Sequence, residues 1–305
     1  MKGVAVRAGA KINLYLRVRR RRPDGYHDIE TVFHGIELCD ELVFQSTTAG
    51  FRLLARFAEG VSGALPVAGD NLVVRAARAL APEERGPGAR ASLVKRIPVG
   101  AGLGGGSSDA AATLVALNRL WNLDLGSDEL RSLARSLGSD VTYCLSGGTA
   151  LGRGVGDRLE PLSVAGPLWL VLGISHEPLS TADVYARWRA VRPRHQGSQR
   201  LVDALSAGDI EGVAAGLHND LELPATTLRP ELERSKRALL DAGALGACMS
   251  GSGPTMFALA RDRSHAGEIA ERARRFFDST DVVASRRTCV EFVSVRRGAA
   301  DTLNH

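Results

Sequence analysis

Cysteine is scarce: the 305 residues hold four, Cys39, Cys144, Cys248 and Cys289, with no CxxC pair among them. That spacing argues against a disulfide framework or a thiolate zinc site, and reads as reduced, mostly buried small hydrophobes in a cytosolic protein. Long apolar runs are missing too. Nothing approaches the roughly 20 residues of a membrane span, and Arg7 and Lys11 interrupt the N-terminal apolar stretch before it reaches signal-peptide length. The protein is therefore expected in the cytoplasm, with no membrane partner. The chain also lacks internal repeats, low-complexity tracts and any dense basic stretch with interleaved aromatics. The last absence argues against an RNA-binding module and against nucleic acid as a partner.

What is present is an ordinary globular composition, 44% hydrophobic with a formal charge of +5. The length accommodates two packed domains. The modest positive balance suits an anionic small molecule without identifying one. Alternating apolar residues Ile12, Leu14 and Leu16 give Val4 to Val18 the period of a strand, ending towards a Pro23-Asp24-Gly25 turn. Strands are expected at 29–38, 42–45 and 91–97. Helices are expected at 71–80, with Asp70 as N-cap, and at 128–137, with Gly138 as C-cap. The stretch Pro161 to Pro167 marks a boundary. It gives a first unit of residues 1–163, a second of 164–297 with a final strand from Cys289 to Val295, and a loose tail of 298–305. Strands and helices alternate without a regular βαβ rhythm, which favours α+β in each half.

Four segments could carry chemistry. The first is Pro98-Val99-Gly100-Ala101-Gly102-Leu103-Gly104-Gly105-Gly106-Ser107-Ser108. It lies between a strand and a long apolar helix, with Ser107 and Ser108 where an N-cap belongs and Asp109 suited to the first turn. Backbone without side chains lets a phosphate approach closely, and a helix N-terminus faces it with free N–H groups. A Walker A loop needs Lys where Ser107 stands, so that reading fails. A dinucleotide fingerprint matches at Gly100, Gly102 and Gly105, but no acid closes a second strand about 20 residues on. A purely structural glycine turn remains open.

The second segment is Ala10-Lys11-Ile12-Asn13, which places Lys11 and Asn13 on one side of the strand. The third is Leu137-Gly138-Ser139-Asp140-Val141, and the fourth is the turn Ser250-Gly251-Ser252-Gly253-Pro254. Each has an ordinary reading: a solvated edge lysine, a capping aspartate, a hairpin turn. Each also has a catalytic one. A carboxylate can orient an alcohol and take its proton, while a lysine offsets phosphoryl charge.

In this order, AKIN, PxGxGLGGGSS, LGSD and SGSGP, the four segments resemble the GHMP kinases, the superfamily of homoserine, mevalonate and galactose kinases. Within it, GLGGGSSDAA, RRPDGYH and LGSDV resemble the branch that acts on an alcohol carrying a cytidine diphosphate group. The resemblance implies a two-domain fold, with a ribosomal protein S5-like N-terminal half and a ferredoxin-like C-terminal half. It implies ATP and Mg²⁺, with Pro98 to Ser108 as the ATP phosphate loop and either Ser107 or Ser108 as a candidate metal ligand. It implies Asp140 as the base, Lys11 as its partner and Asn13 beside them. Tyr26 and His27 would hold the cytidine part, with Thr181 and Tyr185 on the facing segment. The product would belong to the non-mevalonate isoprenoid route, and the chain would act as a monomer or homodimer. Gly9, Thr142 and Tyr143 depart from the family's usual Pro, Pro and Phe. The run Arg19 to Arg22 reads either as a solvated hairpin or as an attraction for the diphosphate. Kinases for other alcohols, such as homoserine or mevalonate, and a non-catalytic nucleotide sensor are the alternatives.

Overall fold

The computed structural model describes residues 3–61, 63–67, 69–81, 87–175, 177–188 and 197–294; the tail expected at 298–305 lies outside them. The first part of the chain forms β1 (Gly3–Arg21), β2 (His27–Thr47), β3 (Phe51–Phe57), α1 (Leu72–Leu80), β4 (Gly88–Lys95), α2 (Gly105–Trp121), α3 (Ser127–Leu137), α4 (Ser139–Ser146), β5 (Thr149–Gly154) and β6 (Arg158–Pro161). The second part forms β7 (Trp169–Ile174), α5 (Thr181–Arg187), α6 (Gln199–Ala207), α7 (Ile210–Gly216), β8 (His218–Asn219), α8 (Glu222–Leu228), α9 (Glu231–Asp241), β9 (Gly246–Met249), β10 (Met256–Ala260), α10 (Arg263–Ala273), β11 (Ser279–Ala284) and β12 (Val290–Val293). No helix of the described residues is long and apolar enough to cross a membrane.

Two sheets organise these elements. One has the order β12-β1-β2-β4-β3, with β5 and β6 continuing from β2 and with β8 on β1. The other is antiparallel in the order β11-β7-β10-β9. With α9 and α10 as its crossovers, the second is a ferredoxin-like sheet, and the whole is the expected α+β architecture. Helix α2 lies behind the first sheet. It is apolar nearly all round, with Ala110, Ala111, Ala112, Leu114, Ala116 and Leu117 all inaccessible to solvent, as a helix covered on every side must be. The two sheets share a core in which Ile12, Leu14 and Leu103 pack with Leu170, Leu172 and Phe257.

Several elements differ from their sequence expectation, each for a tertiary reason. The strands expected at 29–38 and 42–45 are one 21-residue strand, β2, because β1 pairs along almost all of it despite bulges near Lys11, Tyr15 and Arg20. Helix α1 is capped by Asn71, whose side chain accepts from Val73 N at 2.9 Å, and not by Asp70. The final strand, expected with the second half, joins the first sheet as β12. It pairs with Ala5 to Ala8, while β8 pairs with Tyr15 and Leu16. Together they cover stretches of the outer edge of β1 that would otherwise present unpaired backbone groups. All four cysteines are free, three of them buried.

One buried histidine joins the sheets. His34 of β2 lies 2.8 Å from Thr149 Oγ1 through Nδ1 and 2.8 Å from Ser285 Oγ through Nε2. Burial pulls its pKa down to about 4. A histidine held neutral in the fold contributes stability that is present above its unfolded pKa, near 6.5, and is lost as the pH falls through about 4. Over that window its loss should amount to on the order of 3 kcal/mol. Urea unfolding at pH 7.5, 5.5 and 4 should show wild type converging on His34→Gln as the pH drops. A gap between them that stays constant across the series would refute this linkage.

Candidate active site

The glycine loop leaves β4 under tight control. Asp40 accepts from the backbone N–H of Arg96 at 2.5 Å and of Ile97 at 2.9 Å, which turns the chain out of the sheet. Gly100, Gly102 and Gly104 then take φ of 70°, 78° and 70°, a region side chains disfavour. Helix α2 starts at Gly105 with Gly104 as its N-cap, three residues before Ser107 and four before Ser108. A side chain at Gly104 would meet the Lys11 stem at 2.9 Å, so only glycine fits there. No side chain caps the helix. The N–H groups of Gly105, Gly106 and Ser107 are thus left without intrahelical acceptors, which makes a seat for an anion.

The loop shows the cleft mainly backbone. Gly100, Gly102, Gly104 and Ser107 line it, whereas Pro98, Ala101 and Leu103 are buried and Val99 is half-buried beside Gly63. Ser108 is wholly buried and donates to Gly9 O at 2.7 Å, tying α2 to β1.

The second glycine turn, after β9, closes on the first. Ser250 Oγ donates to Gly102 O at 2.9 Å, and Thr255 N donates to Ala101 O at 3.3 Å. A Cβ on Gly251 would lie 3.5 Å from Lys11 Nζ. Asn219 of β8 fixes this turn by donating to Met249 O and Gly251 O, each at 2.7 Å.

Lys11 and Asp140 meet between these turns, with Nζ 3.4 Å from Oδ2. The lysine side chain is 5% exposed and the aspartate 36%, so the carboxylate faces the cleft while the lysine stands behind it. Lys11 also donates to Asn13 Oδ1 at 2.9 Å and to Gly102 O at 3.3 Å, and lies 5.7 Å from the Phe33 ring centre. Asn13 Nδ2 donates to Thr31 Oγ1 at 2.8 Å, and Thr31 donates to Tyr15 O at 2.7 Å. That relay orients the amide so that its oxygen faces the lysine. Gly138, at φ 159°, separates α3 from α4 and puts Asp140 in the first turn of α4, where the helix dipole favours a carboxylate.

A charged cluster that the sequence did not reveal lies beneath the loop. Lys95 pairs with Asp40 and, at 2.8 Å, with Asp109, all three being buried. Asp109, expected as a first-turn residue of α2, points inward from its second turn. Burial pushes its carboxyl up to about 7, with Lys95 opposing. Burial acts to lower the Lys95 pKa, but Asp109 and Asp40 outweigh it and the ammonium is held above its ordinary value.

The opposite wall is aromatic. His27 opens β2 with its ring 4.9 Å from Tyr185 and 5.6 Å, edge-on, from Trp188. Burial and then Arg21 lower the His27 pKa, so the ring is neutral at pH 7. Tyr26 is 68% exposed at the rim. Burial, then Asp140, raise the Tyr185 phenol, which keeps it protonated. Thr181 opens α5 with its hydroxyl 2.8 Å from Ser252 Oγ. His27, Tyr185 and Trp188 form one ring group, with Tyr26 outside it at the rim of the same cleft. Trp188 escaped the sequence reading because no local pattern marks a lone tryptophan after a short helix.

The glycine loop, the Lys11–Asp140 pair and the aromatic wall border a cleft of about 1110 Å³. It brings together Lys11, Asn13, Tyr26, His27, the loop glycines, Ser107, Asp140, Thr181 and Tyr185. An anion seat, a lysine–carboxylate pair and an aromatic wall with polar edges are the parts needed to pass a phosphoryl group to an alcohol on a nucleotide-like substrate.

Known proteins resemble this chain in sequence and fold. Residues 71–148 match the GHMP kinases N terminal domain, and residues 201–279 match the GHMP kinases C terminal domain. The chain is 48% identical over 271 residues to the 4-diphosphocytidyl-2-C-methyl-D-erythritol kinase of Pelotomaculum thermopropionicum, covering 88% of this chain and 93% of that one. It is 43% identical over 279 residues to the enzyme of the same name from Moorella thermoacetica, covering 90% and 96%. A crystal structure of 4-(cytidine 5'-diphospho)-2C-methyl-D-erythritol kinase superposes with a TM-score of 0.77 at 36% identity, covering 92% and 98%. The chain belongs to the 4-diphosphocytidyl-2-C-methyl-D-erythritol kinases, a branch of the GHMP kinases.

Proposed function

We propose that this protein transfers the terminal phosphoryl group of ATP to the 2-hydroxyl of 4-diphosphocytidyl-2-C-methyl-D-erythritol, in the non-mevalonate isoprenoid route. The observation that carries the reading is the position of the Lys11–Asp140 pair, 3.4 Å apart, between the glycine loop and the His27–Tyr185 wall. Asp140 accepts the proton of the attacking hydroxyl as that oxygen bonds to the γ-phosphorus. The bond from that phosphorus to the bridging oxygen breaks, and ADP leaves. Lys11 pairs with Asp140 and stabilises charge on the transferring group. Asn13 orients Lys11 and the alcohol end of the substrate. The loop from Pro98 to Ser108 supplies backbone for the ATP phosphates, with Pro98, Val99, Ala101, Leu103 and Ser108 acting through their backbone or as its packing. Tyr26, His27, Thr181 and Tyr185 hold the cytidine end.

Mg²⁺ takes most of its oxygens from phosphates and water, needing few from protein. Among the described residues there is no group of three or more His, Cys, Asp or Glu able to hold a metal, which suits an ion carried on ATP. Of the two serines, Ser107 lines the cleft and Ser108 is committed to Gly9, so Ser107 is the hydroxyl that fits. When bound, the ion neutralises phosphate charge. We assign the work to a cytoplasmic monomer or homodimer, with residues 1–163 and 164–297 as its two units.

The test is ATP-dependent turnover by the full chain of this substrate, of the same alcohol without its cytidine phosphate, of homoserine and of mevalonate. Only the first should be phosphorylated at a measurable kcat/KM. Turnover of homoserine or mevalonate in its place would overturn the assignment.

A further inference from the structure

The hairpin between β1 and β2 carries four consecutive arginines, Arg19 to Arg22, and three of them are neutralised within it. Arg19 pairs with Glu30, which Ser198 N also holds at 2.9 Å. Arg20 pairs with Asp28 at 2.7 Å. Arg22 pairs with Asp24 at 2.8 Å and with Asp28 at 3.4 Å. Arg21 is the one of the four with no ion pair among the described residues, and it is the one that lines the catalytic cleft. It ends β1 directly across from His27 and lies near enough to lower that ring's affinity for a proton.

The charge balance of the cleft makes this residue informative. Lys11 and Asp140 offset one another. Glu30, Asp28 and Asp24 are spent on the neighbouring arginines. Among the described residues that line the cleft, Arg21 is therefore the cation left without an ion pair on the base-binding side. A solvated arginine needs no carboxylate, but a hairpin that supplies one to each neighbour and none to the residue facing the cleft leaves that guanidinium for an incoming anion. A planar guanidinium matches phosphate oxygens with paired, charge-assisted hydrogen bonds. In the substrate class of the proposed function, the diphosphate lies covalently between the base, at Tyr26 and His27, and the alcohol, at Asp140.

We propose that Arg21 is a specificity-determining residue that grips the diphosphate of the nucleotide substrate while His27 beside it meets the base. The inference rests on the proposed function, and its test separates the two. The full chain and its Arg21→Gln, Arg21→Lys and Arg20→Gln variants are compared in two measurements. One is steady-state turnover of 4-diphosphocytidyl-2-C-methyl-D-erythritol; the other is calorimetric binding of CDP and of cytidine. Arg21→Gln should raise KM for the nucleotide substrate and Kd for CDP about 10- to 100-fold. Kd for cytidine, KM for ATP and kcat should stay within about twofold. Arg21→Lys should fall between, keeping the charge without the paired geometry. Arg20→Gln, whose arginine is already paired with Asp28, should match wild type.

If wild type turns over the substrate and Arg21→Gln leaves both KM and Kd within twofold, the Arg21 assignment fails and the proposed function stands. An equal loss in Arg20→Gln would reduce the effect to the hairpin's general field and overturn the assignment. A rise in KM for ATP as large as that for the nucleotide substrate would place Arg21 on the wrong ligand. A wild type that neither turns over the substrate nor binds CDP sinks both readings.

Discussion

Asp140→Asn is expected to lower kcat by about 10²- to 10⁴-fold, the range of a positioned general base, while ATP affinity changes by less than about threefold. Asparagine keeps the shape of the side chain but cannot take the proton of the attacking hydroxyl. The fold should tolerate it. The side chain is 36% exposed, and Lys11 keeps Asn13 Oδ1 and Gly102 O as acceptors when the carboxylate is gone. The lysine charge is thus not orphaned in the interior, the event that makes loss of a buried partner expensive. A coupled assay for ADP gives kcat, and calorimetry with a non-hydrolysable nucleotide gives affinity. A kcat within tenfold of wild type would remove Asp140 from the role of base. A matching loss of thermal stability would instead make its role structural.

Gly102→Ala should be the most damaging single-atom addition to the loop. The residue sits at φ 78°, and a Cβ there would lie 2.2 Å from Ser250 O and 3.1 Å from Gly253. The backbone conformation alone costs roughly 1–2 kcal/mol for a residue with a side chain. The overlap cannot be relieved by a rotamer change because its target is backbone. The turn at Ser250 must move away, and the hydrogen bond from Ser250 Oγ, along with the Lys11 contact to Gly102 O, weakens. Gly25→Ala is the matched control: its φ is 88°, yet nothing lies within 4 Å of the added atom. At about 2–4 °C per kcal/mol in domains of 150–250 residues, the control should lose a few degrees of Tm. Gly102→Ala should lose clearly more and raise KM for ATP at least tenfold. Equal Tm losses and an unchanged KM would mean the two glycine turns are not coupled.

The Lys11–Asn13 face and the glycine loop were readable in sequence because few arrangements suit such residues. Period two puts Lys11 and Asn13 on one face, and a string of glycines before an apolar helix has few other uses. What could not be read was fixed by partners far along the chain. Gly104 caps α2, although Ser107 has the better capping side chain, because the Lys11 stem fills the space a Cβ would need. Asp109 turns inward because Lys95 waits there. His27 meets Tyr185 and Trp188 through contacts that no local pattern encodes. Pairing with β1 that continues through three register shifts makes one long β2 of the two expected strands. The return of β12 to β1 depends on an edge that exists only once the sheet has formed.

That return governs the order in which the enzyme can be made. Strand β1 carries Lys11 and Arg21, and its outer edge is closed by β8 and β12, with Ala5 paired to Val293 across most of the chain. At 5–20 residues per second, a ribosome takes on the order of tens of seconds to deliver those covering strands. For most of that time the strand bearing Lys11 is outside the ribosome with an open edge, able to pair with a neighbouring nascent chain. Yield in the cell should therefore depend on translation speed and chaperone supply more steeply than the stability of the finished enzyme would indicate.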